Sequence, residues 1–334
     1  MKLYHIMRMM KMKKILLTLA CVFGMSITAS AEQSAAVLLE HAGKITTFEP
    51  EKINDAIAVA EDGDVITLTA GDFPGFTIDK QISVRGSGMQ TVMKGSITIK
   101  NTEIKLNDVF IGYLNFATDC NINVNSPVKG LKISQCRINS DIEFRAITED
   151  SYIDRCYIGG SSAGLGVHRT YTETVTVDGH TSEYTYSYVK SLTVTNSVIL
   201  KIYSTSERYV GISFINCYIK AHQAHLGGVK VVNSILMPSI SIFLYGAELV
   251  NSSYGGVTLT DCTLSNCYEV NIDDNTSEDL VANGYLGNDG TVIGPMGGNT
   301  PYTLNPTLPH VTKSEMKLDP KKQELNATLT ISPK

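Results

Sequence analysis

Apolar and polar residues alternate along most of the chain in an eight-residue pattern that recurs about every 20 residues. Positions 1 and 3 of each copy are apolar and positions 2 and 4 are mostly polar, as in a half-buried β-strand. Position 5 breaks the alternation, and positions 6 and 8 then become the inward ones. One such unit per copy at a regular period predicts a solenoid. The copies lie at residues 104–111, 131–138, 152–158, 192–199, 212–219, 229–236, 247–254 and 257–264.

Position 5 of the pattern predicts a one-residue corner between two short strands. Most copies have Asn or Asp there, the non-glycine residues that best tolerate a left-handed backbone. Gln135 and Arg155 suit such a corner less well, which predicts a different turn in those two copies. Position 6 is Cys or Ser in all copies but the first, and we expect this small side chain to stack on its equivalent one coil away. The Asn and Asp corners are Asp108, Asn196, Asn216, Asn233, Asn251 and Asp261.

The spacing between corners predicts where the regular coils stop. Most corners are 17 to 27 residues apart, which fits one coil each. The 41 residues from Arg155 to Asn196 fit either two coils or one coil with an insertion. The last spacing, 10 residues from Asn251 to Asp261, is too short for a coil and predicts that the ladder ends there.

The segment before the first copy carries a family resemblance. A short amphipathic helix pattern over residues 53–60 precedes Gly-punctuated apolar runs at 63–68, 71–73 and 76–88. This order resembles the first coils of the pectate-lyase-like β-helix superfamily, and the resemblance extends over roughly residues 50–270. It implies an all-β, single-stranded right-handed parallel β-helix solenoid with a short N-terminal capping helix. It implies little about activity, because the superfamily holds lyases, hydrolases, esterases, adhesins and surface proteins.

The N-terminus predicts export. Five basic residues and no acidic ones flank the apolar run 15–25, and an A-x-A cleavage pattern ends at Ala31. We interpret residues 1–31 as a secretory signal peptide, with Glu32 as the mature start. A lipoprotein signal acylated at Cys21 is the alternative, although the residues before it match a lipobox poorly. The predicted location is therefore secreted, periplasmic or on the outer surface.

The net charge of the chain limits the classes of molecule that it is expected to bind. Removing the signal takes five of the 28 basic residues and none of the 33 acidic ones, so the net charge goes from −5 to −10. An acidic chain argues against nucleic acid or an anionic membrane as partner. No apolar run outside the signal reaches the roughly 18 residues of a membrane helix. A polysaccharide, another glycan or a surface protein remains as the expected partner.

The predicted organisation follows from these patterns. An alternating run at 325–331 predicts one more strand, which we expect to dock on the end of the β-helix or to be loosely ordered. The segments are the signal peptide (1–31), an N-terminal strand and capping helix (32–62), the right-handed β-helix (63–272, with a hairpin insertion at about 161–190), a cap and linker (273–300) and a strand tail (301–334).

Six cysteines follow the signal, and four of them occupy position 6 of the pattern. The even count in an exported protein is compatible with disulfides, but the inward corner position favours a buried stack of free thiols. If one pair forms, Cys136 and Cys156 on neighbouring coils are the best candidates, although their Cβ atoms would be somewhat too far apart.

The long spacing after Arg155 contains a hairpin signal. Two alternating runs, 171–177 and 182–188, flank Asp178–Gly179, which predicts a β-hairpin. Its tyrosines are expected on one face, where they either stack on a sugar or partner surface or pack the hairpin onto the flank. A His–Arg pair opens the insertion beside two glycines. The candidate ligand-binding residues are Tyr171, Tyr184, Tyr186, Tyr188, His168 and Arg169.

The sequence offers no catalytic or metal-binding motif. The signatures of β-helix lyases, hydrolases and esterases are absent, and so are zinc spacings, nucleophile elbows and Walker loops. We predict no cofactor, no metal and no catalytic residue. The favoured hypothesis is an exported, non-enzymatic, adhesin-like surface protein that binds a glycan or a protein. The alternatives are a divergent polysaccharide lyase or glycoside hydrolase using His168, Arg169 or Arg145, and a purely structural spacer.

Overall fold

The computed structural model describes residues 35–160, 164–167, 170–177, 180–204, 211–221, 223–237, 241–272, 277–303, 310–319 and 324–332. This part of the chain is all-β, with long parallel sheets, two short α-helices, α1 (Ile53–Val59) and α2 (Ser277–Ala282), and one 3-10 helix, Pro50–Lys52. The all-β class predicted from the sequence is confirmed. Within the described ranges, no helix combines the length and the apolar character needed to cross a membrane.

Five sheets carry most of the strands. Sheet A contains β1 (Val37–His41), β2 (Lys44–Phe48), β3 (Val65–Leu68), β6 (Ser83–Arg85), β10 (Phe110–Gly112), β14 (Lys132–Ser134), β18 (Ser151–Asp154), β23 (Leu192–Thr195), β26 (Ile212–Ile215), β29 (Lys230–Val232), β32 (Glu248–Val250) and β34 (Thr263–Ser265). Sheet B contains β4 (Gly71–Phe73), β7 (Thr91–Met93), β11 (Asn115–Phe116), β15 (Arg137–Ile138), β19 (Tyr157–Ile158), β24 (Val198–Ile199), β27 (Tyr218–Ile219) and β30 (Ile235–Leu236).

The other three sheets are shorter. Sheet C contains β5 (Phe76–Ile78), β8 (Ile97–Ile99), β12 (Ile122–Val124), β16 (Ile142–Phe144), β20 (Leu165–Gly166) and β25 (Ile202–Tyr203). Sheet D contains β9 (Leu106–Asn107), β13 (Val128–Lys129) and β17 (Thr148–Glu149). Sheet E contains β28 (Gln223–Gly227), β31 (Ser241–Tyr245) and β33 (Val257–Thr260).

Consecutive strands of the chain belong to different sheets. The strands β10, β11 and β12 pair in parallel with β14, β15 and β16, which follow them about 20 residues later. We call the stretch from one sheet A strand to the next a coil. Each coil stacks on the previous one through parallel pairs, an arrangement consistent with a β-solenoid. Inward side chains of successive coils form one apolar core in which Phe73, Phe116, Phe144 and Phe214 are fully buried or nearly so.

The N-terminal end of the stack is covered by a different kind of structure. Strand β1 pairs antiparallel with both β2 and β3, and α1 packs against β1 and β5. Lys80 Nζ donates hydrogen bonds to the carbonyl oxygens of Ile57, Ala58 and Ala60 at 2.7–2.9 Å. A cation at the C-terminal end of a helix satisfies carbonyls that have no intrahelical partner. The helix predicted over 53–60 is therefore present and fixed to the first coils.

The corner residues differ from the sequence prediction in one respect. Gln135 and Arg155 take the same left-handed backbone, φ 52° and 51°, as Asn216 at 52°. The prediction of a different turn at these two positions was wrong. Their backbone amides donate to carbonyls of the following coil at 2.9 and 3.0 Å, as the Asn216 amide does. This shared ladder of hydrogen bonds imposes the corner even where the side chain does not favour it.

Two of the eight copies belong to another corner. Asp108 and Asp261 lie where the chain enters sheet A, in the position that Gly130, Gly228 and Gly246 occupy in other coils. The corner between sheets A and B is Tyr113 (φ 60°) in the first of these coils and Asn266 (φ 50°) in the last. Both corners need a left-handed residue followed by an inward one, so one pattern describes both. The ladder therefore ends at Asn266 and not at Asp261.

The residue after the corner between sheets A and B stacks as predicted. The amide of Cys217 donates to Ser234 Oγ at 3.0 Å, and the amide of Ser234 donates to Ser252 Oγ at 3.0 Å. Between Cys136 and Cys156 the equivalent contact joins the Cys136 amide to Cys156 Sγ at 3.5 Å, and the six described cysteines are free. In the last coil the corner between sheets A and B is Asn266 and not Asp261. The residue that ends this column of stacked small side chains is therefore Cys267 and not Cys262.

The 41-residue spacing is one coil with an insertion, because β18 pairs directly with β23. The insertion contains the predicted hairpin, formed by β21 (Thr170–Val177) and β22 (His180–Ser187), with Val177 paired to His180. Val189, after the hairpin, pairs with Thr148 of β17. The hairpin therefore leaves the stack beside sheet D.

The C-terminal segment follows the flank of the stack. Residues 285–302, which we call the strap, run from the Asn233 corner to Asn196, whose side-chain amide donates to Thr300 O and, at 2.9 Å, to Thr300 Oγ1. The strap and α2 cover outward apolar residues of sheet B: Val198, Tyr218 and Ile235. Most of the segment predicted as a cap and linker is therefore the strap, which packs along the outer face of several coils.

The strap is followed by two strands instead of the single predicted one. The C-terminal hairpin consists of β35 (His310–Asp319) and β36 (Glu324–Ser332), which pair antiparallel with each other. The alternation at 325–331 belongs to β36. The backbone hydrogen-bonding partner of that strand is therefore its hairpin neighbour β35.

Candidate functional site

The predicted tyrosine face of the inserted hairpin is present in part. The Tyr171 ring lies 5.7 Å from the Tyr186 ring and 5.4 Å from the Tyr188 ring, with which it is stacked. Lys190 Nζ lies 5.6 Å from the centre of the Tyr171 ring, a cation–π contact. Tyr186 remains 40% exposed. The three rings and the lysine form one aromatic cluster at the base of the hairpin.

The other predicted site residues are not brought into this cluster by any described contact. His168 and Arg169 lie outside the described residues, and the side chain of Tyr184, which pairs with Glu173 in the strand register, is likewise not described. Arg145, considered for catalysis, has its Nε 3.9 Å from Glu143 Oε2 in sheet C. The structure therefore supports Tyr171, Tyr186 and Tyr188 as a unit and leaves the role of His168 and Arg169 a prediction.

A groove of about 790 Å³ lies beside this cluster, on the outer face of sheets A and D. At its centre, Tyr152 is 50% exposed and is paired in register with Lys132 on one side and Thr193 on the other. The groove is therefore a shallow trough with an aromatic ring in its floor. Its lining residues are Asn107, Asp108, Lys129, Gly130, Lys132, Asp150, Tyr152, Asp154 and Thr195.

One carboxylate of the groove is held rigidly. Asp154 accepts hydrogen bonds from Thr195 Oγ1 at 2.8 Å, from Arg155 Nε at 2.8 Å and from Ser134 Oγ at 3.4 Å. Its side chain is only 19% exposed. Hydrogen bonds to a charged acceptor are short and directional. Asp154 is therefore a fixed negative group next to the exposed face of Tyr152.

The rim of the groove carries ion pairs. Asp150 lies 3.2 Å from Lys129 Nζ and accepts a hydrogen bond from Ser191 Oγ at 2.9 Å. Glu149 lies 2.5 Å from Lys105 Nζ. Within the described part of the chain, Lys132 forms no ion pair with an acidic residue. Its ammonium group is therefore available to bind an anionic or hydroxyl group of a ligand in this groove.

Hydrogen bonds lower the pKa of both Glu149 and Asp150. The hydrogen bond from Lys105 lowers the pKa of Glu149, and hydrogen bonds from Ser191 and then Lys129 lower the pKa of Asp150. A general acid needs a raised pKa to hold a proton near neutral pH. Glu149 and Asp150 are therefore suited to accepting hydrogen bonds and unsuited to donating a proton to a leaving group.

The groove and the tyrosine cluster are continuous. Asp150 lines the groove and Glu149 precedes it in the chain, and the next coil places Lys190 and Ser191 beside them. Lys190 in turn covers Tyr171. We call the combined area the flank surface, and it consists of Lys129, Lys132, Glu149, Asp150, Tyr152, Asp154, Tyr171, Tyr186, Tyr188 and Lys190.

The flank surface has the chemistry of a binding site for hydroxyl-rich ligands. Half-exposed tyrosines offer apolar faces with a polar end, fixed carboxylates accept hydrogen bonds, and lysines donate them. The described residues include no group of three or more His, Cys, Asp or Glu side chains placed to hold an ion.

Sequence reasoning identified the tyrosines and missed the groove. The groove is built from residues of neighbouring coils that are about 20 positions apart, such as Lys132 and Tyr152. Both occupy position 2 of the repeat, the first of the two outward positions in the strand that precedes the corner. Comparing position 2 from copy to copy would have shown an aromatic residue stacked next to a lysine.

No family model, curated protein or solved structure matches this chain. The functional proposal below accordingly depends on the repeat pattern and on the geometry of the flank surface.

Proposed function

We propose that this chain is an exported, non-enzymatic, adhesin-like surface protein of the right-handed parallel β-helix type, and that its flank surface binds a glycan or a glycan-bearing surface protein. The resemblance to the pectate-lyase-like superfamily and the order of parallel pairing support the β-helix assignment. The N-terminal sequence pattern supports export. The observation that carries the binding role is the half-exposed Tyr152 between Lys132 and the fixed Asp154 carboxylate, in a groove continuous with the Tyr171 cluster.

The non-enzymatic part of the proposal has two supports. No catalytic motif accompanies the groove acids, and the lowered pKa values of Glu149 and Asp150 keep these groups ionised near neutral pH. A divergent polysaccharide lyase or glycoside hydrolase is the second candidate. It is favoured by one observation, that Asp108, Asp150 and Asp154 all line the same groove.

The test is a binding screen of the chain without residues 1–31 against plant and host polysaccharides, with affinity measured for each positive. We expect Tyr152→Ala and Tyr186→Ala each to weaken binding about 5-fold, since loss of an aromatic contact costs roughly 1 kcal/mol. Tyr245→Ala is the matched control, because Tyr245 lies on sheet E, where its ring is 6.4 Å from that of His225. Equal affinity in all three variants would contradict the proposal that the flank surface is the binding site.

The same samples distinguish binding from catalysis. Unsaturated uronate ends and reducing ends are followed with Ca²⁺ and then with EDTA, against a heat-treated control. We expect no turnover on a polymer that binds. Sustained turnover would contradict the non-enzymatic proposal and establish the lyase or hydrolase alternative, and the effect of EDTA would show whether that activity needs a metal ion.

A further inference from the structure

The last coil leaves part of the apolar core uncovered. Leu249 is fully buried, whereas Leu264, its register partner in the next coil, is 43% exposed. Leu244 is fully buried, whereas Leu259, the next residue of the same column, is only partly buried. Among the described residues, β33 and β34 are the last strands of their sheets, so one edge of each strand is unpaired.

Residues 257–268 lack the residue types that usually protect a sheet edge. Natural edges are blocked by lysines, prolines, bulges or covering segments. Residues 257–268 contain no Lys, Arg or Pro, and Asp261 is their one charged residue. The strands there are rich in threonine, which favours β-structure. The unpaired backbone groups of these edge strands are therefore able to pair with another strand.

The opposite end of the stack does not offer a matching partner. It is covered by α1 and by β1 and β2, which run antiparallel to each other, with β1 also antiparallel to β3. Head-to-tail stacking of two copies would require removal of that structure. The N-terminal end is therefore unsuited to continue the parallel sheets of a second copy.

The strap carries the C-terminal part of the chain away from the open end. After α2, the strap leads away from the last coil, through Asn233, to Asn196 and Thr300. Thr300 thus lies several coils from the open end, and β35 and β36 already pair with each other. A partner strand at the open end would have to come from elsewhere.

We infer that the open end, residues 257–268, is an assembly surface that binds the same end of a second copy. A two-fold axis would pair β34 antiparallel with its counterpart and cover Leu264 with apolar side chains of the partner. Taking the end as roughly 20 Å across, two copies would bury on the order of 1,000 Å² in total, near the lower limit for a specific interface. The dimer is expected to be reversible and of micromolar affinity.

Sedimentation velocity of the chain without residues 1–31, from about 1 to about 100 µM, tests this inference. We expect a concentration-dependent monomer–dimer equilibrium that Leu264→Lys weakens at least 10-fold. Thr263→Lys is a second variant that places a charge at the edge without altering the core. Ser213→Lys is the matched control, because Ser213 occupies the same outward column as Thr263 in a central coil.

Two results would overturn the inference. The first is a monomer over the whole concentration range. If a chain ending at Thr303 then dimerised, the tail would be the natural cover of the open end. The second is a dimer that both Leu264→Lys and Thr263→Lys leave intact.

Discussion

The side-chain amide of Asn251 donates a hydrogen bond to Oδ1 of Asn233, 3.1 Å away in the preceding coil. Asn266 continues this ladder, with its amide 2.7 Å from Asn251 Oδ1. Asn251 is 1% exposed and has a left-handed backbone. Its side chain thus links three coils at a corner that few other residues adopt easily.

Asn251→Ala should be among the more destabilising single changes in this ladder. It removes two side-chain hydrogen bonds, one buried and one partly buried, and leaves Ala in a left-handed corner. The expected loss is about 3 kcal/mol in the free energy of unfolding. Denaturant titration measures the loss. Asn125→Ala, at an exposed position, is the control and should change stability by about 0.5 kcal/mol or less. Similar losses in the two variants would show that the ladder contributes little.

Gln135→Asn should stabilise the protein. Gln135 has φ 52°, a conformation that Asn tolerates better, so a gain of about 0.5–1 kcal/mol is expected in the free energy of unfolding. Gln90→Asn is the control at an exposed position with an ordinary backbone and should give no gain. Thermal unfolding of both variants measures the difference. A loss of stability in Gln135→Asn would mean that a contact of the Gln135 side chain stabilises the protein more than the relief of backbone strain at the corner does.

Gly298 tests the attachment of the strap. A Cβ at Gly298 would lie 2.4 Å from Asn216 Nδ2, whereas one at Gly290, which has nearly the same φ, would meet nothing within 4 Å. Both alanine variants carry the same backbone strain, so the difference between them isolates the contact with the stack. We expect Gly298→Ala to lose about 2 kcal/mol more than Gly290→Ala and to increase hydrogen exchange over 285–302. Equal effects would show that the strap is not tightly packed there.

The cysteines should divide into two reactivity classes. Cys120, Cys136, Cys156 and Cys217 are buried, and burial raises the pKa of Cys217 to about 12. Because their burial keeps the labelling reagent away, these four thiols should resist labelling in the native protein. Mass spectrometry after brief alkylation should find label at the two partly exposed thiols of the last coil, Cys262 and Cys267.

This labelling has an internal control in the unfolded chain, where all six thiols should react. It is best done at low protein concentration, because the proposed end-to-end dimer would protect the last coil. Rapid native labelling of Cys156 or Cys217 would contradict the packed column of small residues at the corners.

Alkaline pH should loosen the strap. Burial raises the pKa of Tyr302 to about 12, so the fold favours the neutral phenol. The resulting stabilisation is complete below the unfolded-state pKa of about 10 and is lost as the pH rises from there through the folded-state value. Unfolding measured from pH 8 to pH 11 should show a steeper decline for the natural chain than for Tyr302→Phe. Parallel declines would mean that ionisation of Tyr302 is not coupled to folding.

Much of the fold could be predicted because its rules are local. Asn196 and Asn233 marked corners correctly, and the runs around Asp178–Gly179 marked the hairpin, since turn preference and strand alternation depend on neighbouring residues. The same locality caused the errors at Asp108 and Asp261. Two different corners of a coil need the same residue types, and only the pairing of strands tells them apart.

The sequence by itself determined the all-β class, the period of the repeat, most corners and the tyrosines of the inserted hairpin. Only the tertiary structure decided which coil neighbours which, and therefore that Tyr152 lies beside Lys132, that the strap returns to Asn196, and that Leu264 is left exposed. The reason is physical. Alternation of apolar and polar residues fixes which face of a strand a side chain occupies, whereas the groove, the packing of the strap and the open end depend on contacts between residues far apart in the chain.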